Sequence, residues 1–276
     1  MLVTLNDVLK DAQEKHYAVG LFNTIDTDMV EATIAAAEEL RSPIIIGTAE
    51  ILLPYGELQL VLPSMIHAAK RASVPVVVHY DHGLTFDRCI EALQLGVSSI
   101  MFDGSLGSNE ENLRATREMV KIAHAMGASI EGEIGHVGQG ASGDHETDDR
   151  YTTVKEAVEF VDATGVDALA VAIGTAHGAY KSKPKLDLAR LREIRAALDT
   201  PLVLHGGSGL SDDDFRNTVR DGIAKINIFT DLCVAGCEAM TRFADLDYLE
   251  RRNKKVETIK DAVKKKMELF GSVGRA

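Results

Sequence analysis

The chain is poor in cysteine, in long apolar runs and in excess basic charge, and each shortage excludes a class of protein. Three cysteines in 276 residues, Cys89, Cys233 and Cys237, cannot staple a disulfide scaffold. An odd, sparse count fits a reducing compartment, so a cytoplasmic protein is expected. Cys233 and Cys237 stand four apart on an expected helix, with no other soft ligand nearby in sequence. They read as buried small hydrophobes rather than as a metal pair. The apolar stretches are short, such as Val74 to Val78 and Ala168 to Ile173. A bilayer span needs about 20 apolar residues, so no membrane partner is expected. The N-terminus, MLVTLNDVLKDAQEKHYA, is amphipathic and carries acids. It lacks the basic start, apolar stretch and cleavage site of a signal peptide. Lys and Arg number 30 against 42 Asp and Glu, a net charge of −12. Phosphate contact needs clustered basic residues, so no nucleic-acid partner is expected. A 45% hydrophobic and 26% charged composition is that of a globular protein, neither disordered nor collagen-like.

What is present is alternation. The expected strands are Val19 to Asn23, Pro43 to Thr48, Val74 to Asp81, Ser98 to Asp103, Ser129 to Gly135, Ala168 to Gly174, Leu202 to Gly206 and Lys225 to Phe229. Nearly all are apolar throughout, as parallel strands buried on both faces are. Between them, segments such as Asp28 to Leu40, Leu58 to Ala72, Asn109 to Met126 and Asp187 to Leu198 repeat apolar residues at three and four. Charges fall between, as in helices covering a sheet. Ser211 ahead of Asp212, Asp213 and Asp214 suits a helix start. Eight βα units predict an α/β fold, a closed (β/α)8 TIM barrel. An open doubly wound sheet usually carries a Gly-rich loop after its first strand. Here that strand ends Phe22-Asn23-Thr24. With no further repeat and no low-complexity linker, residues 1–276 are expected to form a single domain. Its tail, about 247–270, reads as a separate charged helix whose lysines form a solvated face.

Catalytic residues of such barrels sit at the C-terminal strand ends, and the unusual polar residues fall there. The third strand ends His79-Tyr80-Asp81-His82-Gly83, the fourth Asp103-Gly104-Ser105, and the fifth Glu131-Gly132-Glu133-Ile134-Gly135-His136. His82, His177 and His205 follow the third, sixth and seventh strands and converge on the barrel mouth. Three protein ligands with an open position is the pattern of catalytic zinc. His79 and His136 read as supporting groups. The usual phosphate pocket lies in the loops after the last two strands. Here these are Gly206-Gly207-Ser208-Gly209 and Asn227 to Thr230. A glycine turn, a hydroxyl and a helix N-terminus suit an anion, and Lys181 adds charge. The polar run from Gly138 to Arg150 reads as a lid carrying an acid or base.

HYDHG, EGEIGHVG, HGAYK, PLVLHGGSG and AKINIFTD, in this order, resemble the class II, zinc-dependent ketose-bisphosphate aldolase family, in its tagatose/fructose-bisphosphate aldolase-like branch. The resemblance runs from KHYAVGLFN to LFGSVG. It implies that His82, His177 and His205 hold one zinc ion. It implies Asp81 as the acid/base, and Asp103 and Glu133 as carboxylates that hold the metal in an alternative resting position. Asn23, Gly178, Lys181, Gly206, Gly207, Ser208, Asn227 and Thr230 match substrate- and phosphate-holding positions. A monovalent cation, Na+ or K+, near Gly178 and Gly206 is implied, as is a homodimer or homotetramer. The family's loop glutamate often follows a Gly-Gly; here Gln139-Gly140-Ala141 stands there, and Glu146 is the nearest glutamate. Phe229 replaces a small or polar residue and Tyr80 an apolar one, so a reshaped pocket is expected. The expected reaction is reversible aldol cleavage of a phosphorylated ketose to dihydroxyacetone phosphate and an aldehyde. Zinc polarises the ketone and Asp81 exchanges a hydroxyl proton. Three alternatives stand: an aldolase of another sugar or sugar-acid phosphate, a Schiff-base aldolase using Lys181, and a non-catalytic sugar-phosphate-binding protein on the same scaffold.

Overall fold

The computed structural model describes residues 1–135, 151–176 and 184–276, and the backbone alone of 138, 139 and 177. Its strands are β1 (Val19–Asn23), β2 (Ile44–Ala49), β3 (Val76–Gly83), β4 (Ser99–Phe102), β5 (Ser129–Ile134), β6 (Gly138–Gln139), β7 (Ala168–Val171), β8 (Ala176–His177), β9 (Leu202–Leu204) and β10 (Ile223–Ile228). Eight of them close a parallel barrel in the order β1-β10-β9-β7-β5-β4-β3-β2, as the alternation predicts. The short strands β6 and β8 pair separately, an element without an apolar run to announce it.

The uninterrupted apolar strands serve two cores. Successive side chains of a strand point to opposite faces. Ile44, Ile46, Val76 and Val78 therefore pack outward, against helices α2 (Thr27–Leu40) and α3 (Leu58–Arg71). Ile45 and Val77 point inward and join Val19, Leu21, Ala168, Ala170 and Val203. Helix α1 (Leu5–Glu14) packs Leu5, Val8, Leu9 and Ala12 into this inner cluster. Its first N–H donates to Ser129 Oγ at 2.9 Å. The N-terminal end of the barrel is thus plugged, and polar groups collect at the other end.

Helix starts follow local chemistry. Ser211 and Asp214 form a reciprocal capping box at α8 (Asp212–Arg220). The expected tail is α10 (Tyr248–Phe270), which buries Val256, Ile259, Val263, Met267 and Phe270. Its lysines are not simply a solvated face. Lys255 pairs with Asp28 at 2.6 Å and Lys260 with Glu39 at 3.1 Å, both acids of α2. Lys266 meets Asp231 of α9 (Thr230–Arg242) at 2.7 Å. The more exposed of these pairs, Lys260 with Glu39, contributes about 0–1 kcal/mol, and the buried apolar stripe is what docks the helix. Cys237 also departs from its expected burial and is exposed. Helix α9 turns Leu232, Ala235, Gly236 and Ala239 inward, and residue 237 lies outside that stripe.

Gly47 of β2 shows how tightly the wall is built. A Cβ there would strike the backbone carbonyl of His79 on β3. Backbone in a closed barrel has nowhere to move, so Gly47→Ala should lower stability by about 1–3 kcal/mol. Denaturant unfolding measures it. An unchanged midpoint would show that the wall yields.

Candidate active site

Asp81 and His82 adjoin in β3, and a regular strand would point them to opposite faces. They nevertheless share one pocket. The β3–β4 register passes from Tyr80–Ile100 to Gly83–Phe102, three residues against two. This is a β-bulge, which re-aims side chains. His82 sits at φ 44°, a left-handed conformation rare outside glycine. Such strain costs of order 1–3 kcal/mol and persists only where surroundings impose it. The strand therefore runs two residues past its expected end, and the bulge lies inside it.

His82 is held from β4. Its Nδ1 is 2.6 Å from Asp103 Oδ2, and Asp103 Oδ1 accepts from Ser105 Oγ at 2.6 Å. That arrangement turns Nε2 away from Asp103, as carboxylate-oriented metal ligands are turned. His205, just after β9, meets His82 edge-on with ring centroids 4.5 Å apart. Donor atoms of Asp81, His82 and His205 lie within 4.8 Å of one another, as do those of His82, Asp103 and Glu133. Nitrogen and oxygen donors at this spacing suit zinc. Buried Asn23 Oδ1 and Asn227 Oδ1 lack hydrogen-bond donors among the described residues. Unsatisfied buried acceptors are what a cation answers.

Charge in the site is strongly coupled. Burial opposes ionisation of Asp81, but positive His82 and the nearby imidazole of His79, 3.7 Å away, hold its carboxyl well below the usual range. Burial likewise opposes the Asp103 charge, and the His82 hydrogen bond overrides it. Burial would depress His205, yet Glu131 and Glu133 push it up to about 10.

Asp81 is gripped from two sides. Asn23 Nδ2 donates to Oδ2 at 2.8 Å, and Asn227 Nδ2 donates to Oδ1 at 3.1 Å. The two asparagines expected at the substrate thus also fix the carboxylate. Gly206, Gly207, Ser208 and Thr230 line the same pocket, of about 380 Å³. Ser208 Oγ accepts from Phe229 N–H at 3.3 Å, and Phe229, the N-cap of the α9 helix that opens there, offers no side-chain cap. Gly206 has a second role. At φ 65°, a Cβ on it would strike the Ala176 carbonyl, so β8 packs directly on the turn. The backbone of Ala176, one residue before His177, therefore lies against Gly206. The His177 side chain, Gly178, Lys181, Glu146 and His136 fall outside the described residues.

Phe229 lines the pocket. Tyr80 does not: it is buried in the outer core, and its hydroxyl donates to Glu50 at 3.2 Å. Its side chain points away from the mouth because it precedes Asp81 by one residue. The pocket also has an apolar rim of Ile51, Leu84 and Leu106 that sequence reasoning missed. Its signal was apolar residues just past strand ends, where Ile51 and Leu106 stay 73% and 76% exposed.

A barrel closed at one end, with a cluster of polar donors and a glycine turn at the other, has the layout of a barrel enzyme's active site. The sequence model of the fructose-bisphosphate aldolase class-II family matches residues 3–275, and the chain belongs to that family. It is 39% identical to a 6-phospho-5-dehydro-2-deoxy-D-gluconate aldolase of Shouchella clausii, over 99% of this chain and 96% of that protein. A fructose-bisphosphate aldolase of Staphylococcus aureus is 36% identical over 100% of this chain and 99% of its own length. The crystal structure of the YdjI aldolase from Escherichia coli K12 superposes with a TM-score of 0.92 at 38% identity, covering 100% of both chains.

Proposed function

We propose that the protein catalyses reversible aldol cleavage of a phosphorylated ketose, giving dihydroxyacetone phosphate and an aldehyde. The observation that carries this reading is one pocket holding an ionised, doubly hydrogen-bonded Asp81, a cluster of nitrogen and oxygen donors, and a glycine turn facing a helix N-terminus. His82, His205 and, by family resemblance, His177 would hold one zinc ion, with Asp103 and Glu133 as further carboxylate donors. When bound, zinc supplies Lewis acidity to the ketone oxygen. Asp81 accepts the proton of the hydroxyl on the carbon that becomes the aldehyde. The carbon–carbon bond then breaks, and its electron pair stays on the carbon next to the ketone. Protonation at that carbon completes dihydroxyacetone phosphate, with Glu146 as the donor in this reading. Gly206, Gly207, Ser208, Thr230, Gly178 and Lys181 anchor the phosphate and so align the breaking bond.

The same reading takes residues 1–276 as one domain acting in the cytoplasm as a homodimer or homotetramer, with Na+ or K+ near Gly178 and Gly206. The match across 3–275 supports the first point. No helix among the described residues is long and apolar enough to cross a membrane.

For the far end of the substrate, a ketose or sugar-acid monophosphate is favoured over a bisphosphate. Among the described lining residues there is no Lys or Arg for a second phosphate, and Phe229 and the apolar rim occupy the wall. Weak activity on fructose 1,6-bisphosphate is therefore expected. Phe229→Asn should shift the ratio of kcat/KM between substrates by about 10-fold, the scale of one altered pocket contact. An unchanged ratio with lower stability would mean that the ring only packs.

A coupled assay for dihydroxyacetone phosphate over ketose mono- and bisphosphates and sugar-acid phosphates, with zinc and then with a chelator, tests the whole reading. Activity lost in chelator supports it. Borohydride trapping of substrate on Lys181 would replace it with a Schiff-base mechanism. No cleavage of any member would leave a binding protein.

A further inference from the structure

Beneath the donor cluster lie buried groups that the chemistry above does not use. Glu131 on β5 and Lys225 on β10 are fully buried, with Lys225 Nζ 2.7 Å from Glu131 Oε2. The other oxygen, Glu131 Oε1, is 2.8 Å from His205 Nε2. Strands β5 and β10 are not neighbours; β7 and β9 separate them. The lysine crosses because the intervening wall is low. Lys225 stands opposite Val203, Val203 opposite Ala170, and Ala168 opposite Glu131. Burying an ion pair gains little stability over apolar residues of the same volume. The geometry offers another reason for it. Glu131 lies on the deep side of His205, while Glu133, which lines the pocket, has Oε2 3.1 Å from Nδ1. Taking Nε2 from below leaves Nδ1 as the nitrogen that faces the donor cluster.

We infer that Lys225 and Glu131 are positioning residues for the metal: the ammonium holds the carboxylate, the carboxylate accepts from His205 Nε2–H, and His205 thereby presents Nδ1 to zinc. The inference rests on the reading of His205 as a zinc ligand. Glu131 is the orienting group of a carboxylate–histidine–metal chain, and Lys225 keeps that carboxylate from turning.

The test uses the full chain and two readouts besides activity: zinc affinity by competition with a chromophoric chelator, and the visible absorption spectrum of the cobalt(II)-loaded protein. Lys225→Met keeps the length of the side chain and removes its charge. Glu131→Gln keeps an acceptor for Nε2–H and removes the clamp. Each should lower zinc affinity about 10–100-fold, the usual effect of losing a ligand's orienting partner. Each should also alter the cobalt spectrum and lower kcat more than it changes KM. The double variant should lose less affinity than the two single losses combined, because the pair acts as a unit. Wild-type affinity and spectrum in both folded variants, with only a lower unfolding temperature, would overturn the inference. If Lys225→Met does not fold, the isosteric Glu131→Gln decides on the same two readouts. Unchanged zinc binding in His205→Ala would remove the reading of His205 and the inference with it.

Discussion

Asp81→Ala keeps its zinc and loses at least about a hundredfold in kcat, the scale of a lost general acid–base. The carboxylate lies in the pocket, 2% exposed, and accepts from Asn23 and Asn227. Its hydrogen bonds orient it, and the positive charge around it keeps it ionised at neutral pH. Truncation removes the proton acceptor and leaves two buried amides without their acceptor. A stability loss of about 1–3 kcal/mol therefore accompanies the rate loss. The measurements are steady-state kinetics, zinc content and thermal unfolding of one preparation. Near-normal turnover would remove Asp81 from the mechanism. A fall in zinc affinity matching the fall in rate would make it a group that orients the metal site instead.

His82→Ala and His205→Ala each lose zinc and activity together, with affinity lower by more than the roughly 10–100-fold expected for a merely orienting group. Their effects on the metal-free fold differ. His82 sits on a strained bulge with its side chain 17% exposed, so its removal relieves φ strain while leaving Asp103, 9% exposed, without its imidazole partner. His205 is fully buried between Glu131 and Glu133. Its removal takes the imidazole from Glu133 and leaves Glu131 with Lys225 alone, and breaking such buried pairs costs about 3–5 kcal/mol. His205→Ala should therefore be the less stable of the two without zinc. Chelator competition and denaturant unfolding read both effects. Full metal and full activity in either variant would show that residue is not a ligand, and equal stabilities would show that the two carboxylates find other partners.

Much of this was legible in the chain. Pro43 to Thr48 and Val74 to Asp81 read as strands because a parallel sheet covered on both sides demands long apolar runs. The same rule placed HYDHG and HGGSG at strand ends, and so at the barrel mouth. Ser211 and Asp214 fixed a helix start by local hydrogen bonding. Phe229, expected from the family pattern to reshape the pocket, lines it. What misled was local too. Lys255 and Lys260 of α10 read as solvated because their acids, Asp28 and Glu39, sit on α2, more than 200 residues away in sequence.

The sequence by itself determined the barrel, the family and the chemical character of the mouth, because strand periodicity, helix caps and motif order are properties of neighbouring residues. Only the tertiary structure decided which groups act together. A one-residue bulge against β4 puts Asp81 and His82 in the same pocket, although strand alternation separates them. Asn227 reaches Asp81 across 146 residues of chain, and Lys225 reaches Glu131 over the small side chains of β7. Those contacts follow from how the barrel closes and how far its strands are offset, a global geometry that no local run of residues encodes.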